Sequence, residues 1–326
     1  VKAIVLESYG GPEVLTLREV PDPVPGPDEV LVEIVSTAVN RADVLQRRGA
    51  YPGPPMAHEI PGLELAGRVV GAGERAARWS LGDAVMGVVG GGAYAERIAV
   101  HERQLVPVPA AVPLADAGAI PEVFITAWDA MVVQGGLTAG RTVLVHAGAS
   151  GVGTAAIQYA KAMGARVLVT ASAGKLAACR ELGADVAVDH GSEDFVAATR
   201  DLTGGRGVDV IVDLVGGDYL ARNVEAIRLG GCIVSVGLVG GASGTMPLGL
   251  LMAKRATLTG TVLRARPLEE KIAATQRFEQ EVVPFLADGR CRPVVDSRFP
   301  LAEVAAAHER IESNANVGKI VLDVAG

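Results

Sequence analysis

Residues 141–163 constrain the fold more than any other stretch. Val143 to Val145 form a short apolar run, Gly148, Ser150, Gly151 and Gly153 crowd one turn, and an Ala-rich segment then runs to Gly164. The pattern predicts a strand, a tight turn and a helix. Such a turn aims the N–H groups at the helix start toward one point, where a pyrophosphate can rest with no side chain in the way. Glycine-rich turns also join strands to helices for steric reasons alone, so the surroundings have to decide between the two readings.

The surroundings repeat the pattern. Residues 165–170, 185–189, 208–214, 232–236 and 256–262 read as further strands, with helices expected over 176–182, closed by Gly183, and around 223–229. Continuous apolar strands alternating with helices indicate a parallel sheet covered on both faces. Residues 2–6, 15–20, 29–36, 65–70, 83–88 and 94–100 are instead short strands punctuated by Pro and Gly, the pattern of an antiparallel barrel or sandwich. Helices are expected from about Pro113 or Leu114, from Pro121 to Met131, and from Pro267 to near Asp288. Strands at 293–299 and 319–324 should fold back onto the first region. The chain is thus expected to be α/β, with residues 1–122 and 265–326 forming one domain and 123–264 inserted as a dinucleotide-binding domain.

The net charge of −7 excludes a broad basic field for nucleic acid or an anionic membrane surface. No eighteen consecutive apolar residues occur, and the sequence enters a strand pattern at once, so the expected location is the cytoplasm. Cys179, Cys232 and Cys291 have no paired spacing, which suits a reducing compartment and small core residues.

In the first region Asn40 and Asp43 are three apart, on one face if the stretch is helical, and Tyr51 follows in a Pro-flanked loop. Asn can bond a ribose or carboxamide, and a Tyr hydroxyl can protonate an oxygen as charge develops on it. By spacing alone, the plainer alternative ranks higher: Asn40 caps a helix, Asp43 is solvated and Tyr51 packs by its ring.

Four motifs, Asn40-Arg-Ala-Asp43, Ile60-Pro-Gly-Leu-Glu-Leu-Ala-Gly67, Ala119-Ile-Pro-Glu-Val-Phe-Ile-Thr-Ala127 and His146-Ala-Gly-Ala-Ser-Gly-Val-Gly153, carry a resemblance. Together they resemble the zinc-independent quinone oxidoreductases of the medium-chain dehydrogenase/reductase superfamily. The likeness is greatest to the branch with the p53-inducible quinone oxidoreductase, and zeta-crystallin is a more distant relative. Gly216-Gly217, residues 236–241 and residues 316–322 extend it over essentially the whole chain. The resemblance implies a Rossmann domain inserted in a GroES-like β-barrel catalytic domain, NADPH as cofactor without flavin, a small-molecule quinone as substrate, and a homodimer. It implies Tyr51, Asn40 and Asp43 as catalytic residues. It places Asn40 and Thr126 near the nicotinamide, Ser150, Gly151, Val152 and Gly153 on the pyrophosphate, and Leu238 and Leu263 along the nicotinamide side. Ala171, Ser172, Lys175, His190, Gly216, Gly237 and Arg264 complete the expected cofactor contacts.

Zinc relatives place a His before the Glu where this chain has Gly62-Leu63-Glu64, and Asn40 occupies the neighbourhood of their Cys. Between Gly71 and Gly118 there is no Cys at all, so no tetrahedral N/S site is expected. His58-Glu59 reads as an exposed loop pair. Without zinc to stabilise an alkoxide, the manageable reaction is reduction of a conjugated carbonyl: a quinone first, a 2-enal or 2-enone as the alternative. A non-catalytic NADPH binder or an RNA-binding protein is the rival from another class. Residues 170–175 hold no carboxylate for ribose hydroxyls but do hold Ser172 and Lys175, which favours a 2′-phosphate; Lys175 can equally begin the next helix. His190 stacks on adenine, reaches the phosphate, or is solvated. His146 is expected to pack, His101 and His308 have no partner in sequence, and Arg264 and Arg266 contact cofactor or flank a turn. Met131, Met163 and Met252 are expected as core fillers, and residues 269–271 as a solvated helix face.

Overall fold

The computed structural model describes residues 1–324, which fold as two compact units: residues 1–125 with 264–324, and Thr126–Leu263. In the second unit the six strands lie in the order Val186–Asp189, Arg166–Ala171, Thr142–Val145, Val208–Asp213, Ile227–Ser235, Thr257–Gly260, every pair parallel. Numbered along the chain this is 3-2-1-4-5-6, the order of a dinucleotide-binding sheet. Leu144, Leu168, Ile211 and Ile233 from its strands share one core with Phe195, Val196 and Val224 from its helices, which explains the unbroken apolar runs.

Helices Phe195–Thr203 and Leu248–Lys254 were not anticipated, and the helix expected around 223–229 is Tyr219–Ala226. Ile227 already begins a strand that bulges before Cys232, and Gly230 takes a left-handed φ of 68° there. The helix from Pro121 stays α-helical to Trp128 and then widens into a π turn over Asp129–Gln134.

In the first unit the sheet order is Val295–Pro300, Lys319–Asp323, Glu29–Val39, Glu64–Ala72, Ala84–Val88, Leu105–Pro107, with Arg97–His101 also on Glu29–Val39 and a separate pair Lys2–Leu6 and Leu15–Glu19. It is antiparallel except that Val295–Pro300 and Lys319–Asp323 run parallel. Parallel neighbours need a crossover, and helix Val304–Glu312, unforeseen in the sequence, supplies it. The strand expected from residue 94 begins at Arg97; Tyr94 is fully buried ahead of it, its N–H on the Pro61 carbonyl. The long helix expected to reach Asp288 breaks at Val282 into Leu268–Glu281 and Val283–Ala287, because Pro284 has no N–H to continue the ladder.

Candidate functional site

The second unit presents the glycine turn. Strand Thr142–Val145 is the first of the sheet, flanked by the second and fourth, so the turn after it stands where the strand order reverses. Ala147 takes a left-handed φ of 52° to leave the strand, and a Cβ on Gly148 would stand 2.6 Å from the Val169 Cβ. A Cβ on Gly153 would collide with the carbonyl oxygens of Ala147 and Gly148. The tight turn therefore requires glycine at both positions.

Helix Gly151–Ala162 follows with Ser150 as its N-cap, and here the sequence reading needs correcting. Four bare peptide nitrogens were expected at residues 150–153, but Ser150 N–H donates to the Ala147 carbonyl (2.9 Å) and Gly153 N–H to Ser150 Oγ (3.1 Å). The N–H groups of Gly151 and Val152 are the two that bond no described residue. They lie at the positive end of a three-turn helix with no acidic residue in its first turn, an arrangement suited to an anion.

A buried chain of hydrogen bonds links this turn to the next loop. His146, fully buried, meets Thr170 Oγ1 through Nδ1 (3.0 Å) and Asn223 Oδ1 through Nε2 (2.7 Å), and Asn223 Nδ2 donates to Asp213 Oδ2 (3.0 Å). Asp213 Oδ1 then accepts the N–H groups of Val215 and Gly216, both at 2.9 Å. Burial lowers the His146 pKa and the Asp213 charge opposes it, in keeping with a neutral ring that donates through Nε2. His146 thus packs on Phe195 and Tyr219, as expected, while also bracing the Gly216 loop. Gly216, Leu238 and Thr259 line a cleft of about 320 Å3 against the 241–244 loop.

Of the other expected contacts, Gly237 packs too close to Leu214 for a side chain, a Cβ there meeting the Leu214 carbonyl oxygen at 2.8 Å, and Leu263 is buried. Thr126 is half-buried in the helix from Pro121. Ala171 ends the second strand, Lys175 ends a 3-10 turn, and exposed Ser172 and His190 approach each other (Oγ to Nε2, 3.4 Å). A carboxylate does reach this corner, from the third strand: Asp189 accepts from Gly191 N–H, Ser192 Oγ and the Ala173 backbone, and those bonds hold its pKa down.

The first unit holds a second polar cluster. Glu64 and Lys319, 0% and 4% exposed, form an ion pair at 2.8 Å. Asn40 bridges them, Nδ2 donating to Glu64 Oε1 (2.9 Å) and Oδ1 accepting from Lys319 Nζ (2.6 Å), and Glu122 N–H donates to Glu64 Oε2 (2.9 Å). With a further bond from Nδ2 to the Ala38 carbonyl, both amide donors of Asn40 are spent. Asp43 corrects both sequence readings. It is neither solvated nor able to meet a substrate: fully buried, it accepts from Asn40 N–H (2.8 Å), Tyr94 Oη (3.1 Å) and Gly62 N–H (3.3 Å). Burial raises its pKa to about 6 against the lowering effect of these bonds.

Tyr51 is half-buried, its ring 5.1 Å from the Arg264 guanidinium carbon. Burial raises the pKa of its hydroxyl, which therefore keeps its proton for donation. Arg264, expected in the inserted domain and on the cofactor, belongs to the first unit. Its Nε, Nη1 and Nη2 donate to the Gly90 carbonyl (2.8 Å), the Tyr51 carbonyl (3.0 Å) and Gln46 Oε1 (2.6 Å). These three bonds tie it to the Tyr51 loop.

Four other expectations change. Of the exposed loop pair, Glu59 is only partly exposed and accepts from Tyr9 Oη and Gln46 Nε2; His308 is buried between Arg47 and Tyr94; and Lys271, assigned to a solvated face, is half-buried. Met131 is core, but Met252 is 75% exposed. The residues that sequence reasoning missed, Glu64, Glu122 and Lys319, are charged side chains at buried or half-buried positions. The sole signal was their presence in apolar or Gly/Pro-rich runs such as Gly62-Leu-Glu64 and Gly318-Lys-Ile320.

Residues 151–287 match the family model described as zinc-binding dehydrogenase, and residues 26–110 match the alcohol dehydrogenase GroES-like domain. The chain is 32% identical over 98% of its length to a quinone oxidoreductase of Pseudomonas aeruginosa, covering 99% of that protein. It is 29% identical over 99% of its length to the human quinone oxidoreductase, covering 97% of it. The structure of Escherichia coli quinone oxidoreductase complexed with NADPH superposes with a TM-score of 0.89 at 29% identity, covering 99% of this chain and all of that one. The chain belongs to the medium-chain dehydrogenase/reductase superfamily and, within it, to the quinone oxidoreductase family. It is an oxidoreductase whose substrate is a small molecule.

The zinc in the first family description finds no matching donor set here. The Glu64 carboxylate already faces an ammonium and two N–H donors, and among the described residues no group of three His, Cys, Asp or Glu side chains could hold a metal. No helix among the described residues is long and apolar enough to cross a membrane.

Proposed function

We propose that this protein is a metal-free NADPH:quinone reductase that passes hydride directly from the nicotinamide to a quinone. The observation that carries the reading is the pair of unclaimed N–H groups at Gly151 and Val152, at the point where the order of a parallel sheet reverses. When bound, NADPH supplies the hydride. Gly151 and Val152 would hold its pyrophosphate, and the His146–Asn223–Asp213 chain keeps the neighbouring Gly216 loop in place. At the second strand end, Ser172, Lys175 and His190 favour a 2′-phosphate, since Asp189 spends its oxygens on its own turn.

Quinones suit such a site because their conjugation delocalises the incoming charge. Tyr51 keeps its proton through neutral pH and gives it to the reduced oxygen. Asn40 acts by position: it caps helix Arg41–Arg47 and fixes the Glu64–Lys319 pair. Lys319 is buried against Glu64 and acts structurally, holding that carboxylate and Asn40 in place. The assembly we propose is a homodimer, in which the edge strand Thr257–Gly260 and the exposed Leu248, Met252 and Leu258 are covered by a second copy. Three free thiols, Cys179, Cys232 and Cys291, support a reducing, cytoplasmic setting.

Titrating the pure chain with NADPH and NADH by calorimetry, followed by steady-state assays on quinones and 2-enals and by elemental analysis, tests the reading. We expect tighter binding of NADPH, turnover on quinones and no stoichiometric zinc. Indifference to both coenzymes, or one zinc per chain, refutes it, and a preference for 2-enals reassigns the acceptor.

A further inference from the structure

Two neighbouring cations in the first unit have no anion of their own. Arg264 is 7% exposed, and its three hydrogen bonds all go to neutral oxygens, on Gly90, Tyr51 and Gln46. Lys271, on helix Leu268–Glu281, reaches the same short segment: a Cβ on Gly90 would lie 3.5 Å from its Nζ and 3.4 Å from Pro54 Cγ. The half-buried ammonium makes no hydrogen bond or ion pair with any described residue. Burial lowers its pKa first, and the charge of Arg264 lowers it further.

The acids of the neighbourhood are already accounted for. Glu122 acts on both cations, but burial and the Glu64 charge push its pKa to about 8, so near neutral pH it is mostly protonated. Asp43 is enclosed by Asn40, Tyr94 and Gly62, and Glu59 accepts from Tyr9 and Gln46. Two like charges held close together, one buried and one half-buried, are costly without a counter-charge, and an anion brought from outside relieves both. Beside them the Tyr51 ring and Pro54 offer flat apolar surface.

We propose that Arg264 and Lys271 form an anion subsite next to Tyr51, taking a carboxylate or sulfonate carried by an aromatic acceptor. Lys271 meets the anion directly as a mobile point charge, while Arg264, fixed by its three bonds, supplies field and the Tyr51 loop geometry. The subsite sets a preference among acceptors and rests on the reading of Tyr51 as the acceptor-side residue.

The test separates binding from turnover. Naphthalene-2-sulfonate and the neutral naphthalene-2-methanol are titrated by calorimetry into the full chain, Lys271→Gln and Lys271→Arg. We expect the sulfonate to bind on the order of tenfold tighter than the alcohol, Lys271→Gln to erase that margin and Lys271→Arg to retain most of it. In steady state, the ratio of kcat/KM for 1,2-naphthoquinone-4-sulfonate over 1,2-naphthoquinone should fall about tenfold in Lys271→Gln and recover in Lys271→Arg. Equal binding of the two probes, or a margin that survives Lys271→Gln, overturns the subsite. Inorganic phosphate binding as tightly as the sulfonate overturns the assignment to a substrate anion. Absence of turnover on every quinone with the binding margin intact refutes the quinone reading and leaves the subsite standing.

Discussion

Around Glu64 in the first unit, the carboxylate is met by Lys319, Asn40 and the backbone of Glu122, whereas at the start of helix Gly151–Ala162 in the second unit two N–H groups are claimed by none of the described residues. The first region buries full charges and neutralises them from within. The second buries almost no charge at its turn and leaves partial charges open. A fully satisfied ionic network fixes geometry but has little left to offer a ligand. A glycine turn with unspent donors is poised to bind one.

The largest effect should come from filling the turn. Gly153→Val forces a side chain into the Ala147 and Gly148 carbonyls and should weaken NADPH binding more than about 100-fold. Calorimetry would show it, with circular dichroism to confirm that the sheet survives; undiminished binding would break the contrast. Next comes the ion pair. Lys319→Met leaves the Glu64 carboxylate buried without its cation and should cost about 3–5 kcal/mol in urea unfolding, since removing one partner strands the other. A loss below about 1 kcal/mol, the range of exposed pairs, would show that the network is not sealed from water.

Glu122 sharpens the comparison through pH. Its ordinary value is 4.5 and its folded value about 8, so between these the native state binds more protons than the unfolded chain. Its contribution to stability is therefore fully present below about pH 4.5 and is lost as pH rises toward 8. Glu122→Gln should flatten the decline of Tm with rising pH over that window. His308, pushed by burial from 6.5 to about 3, works in the opposite direction, its contribution fading as pH falls below 6.5. The smallest effect is expected for Tyr51→Phe: kcat lower by about tenfold with KM little changed, because water can replace its proton while the ring still packs against Arg264. Unchanged kcat across a quinone panel would remove Tyr51 from proton transfer.

Much of the second unit was legible because its signals are local. Val143 to Val145 and Val208 to Val212 read as buried strands from their own composition, and Gly148 and Gly153 marked the turn because only glycine fits there. Even so, the sequence could not show that the Ser150 hydroxyl would take the Gly153 N–H, leaving two open donors rather than four. In the first unit the strands were mostly visible but the site was not. Asp43 and Lys271 were judged by neighbours in sequence, and the structure surrounds them with Tyr94, Gly62 and Gly90 from other segments.

Sequence alone determined the alternation of strands and helices, the glycine turn and the absence of clustered cysteines, because each depends on residues within a few positions of one another. Tertiary structure decided which charges lose their water and which partner each one finds. Lys319 reaches Glu64 because its strand pairs with Glu29–Val39, which in turn pairs with the strand that Glu64 begins. Coulomb energy and desolvation depend on distance through space, and sheet registry sets that distance between residues far apart along the chain.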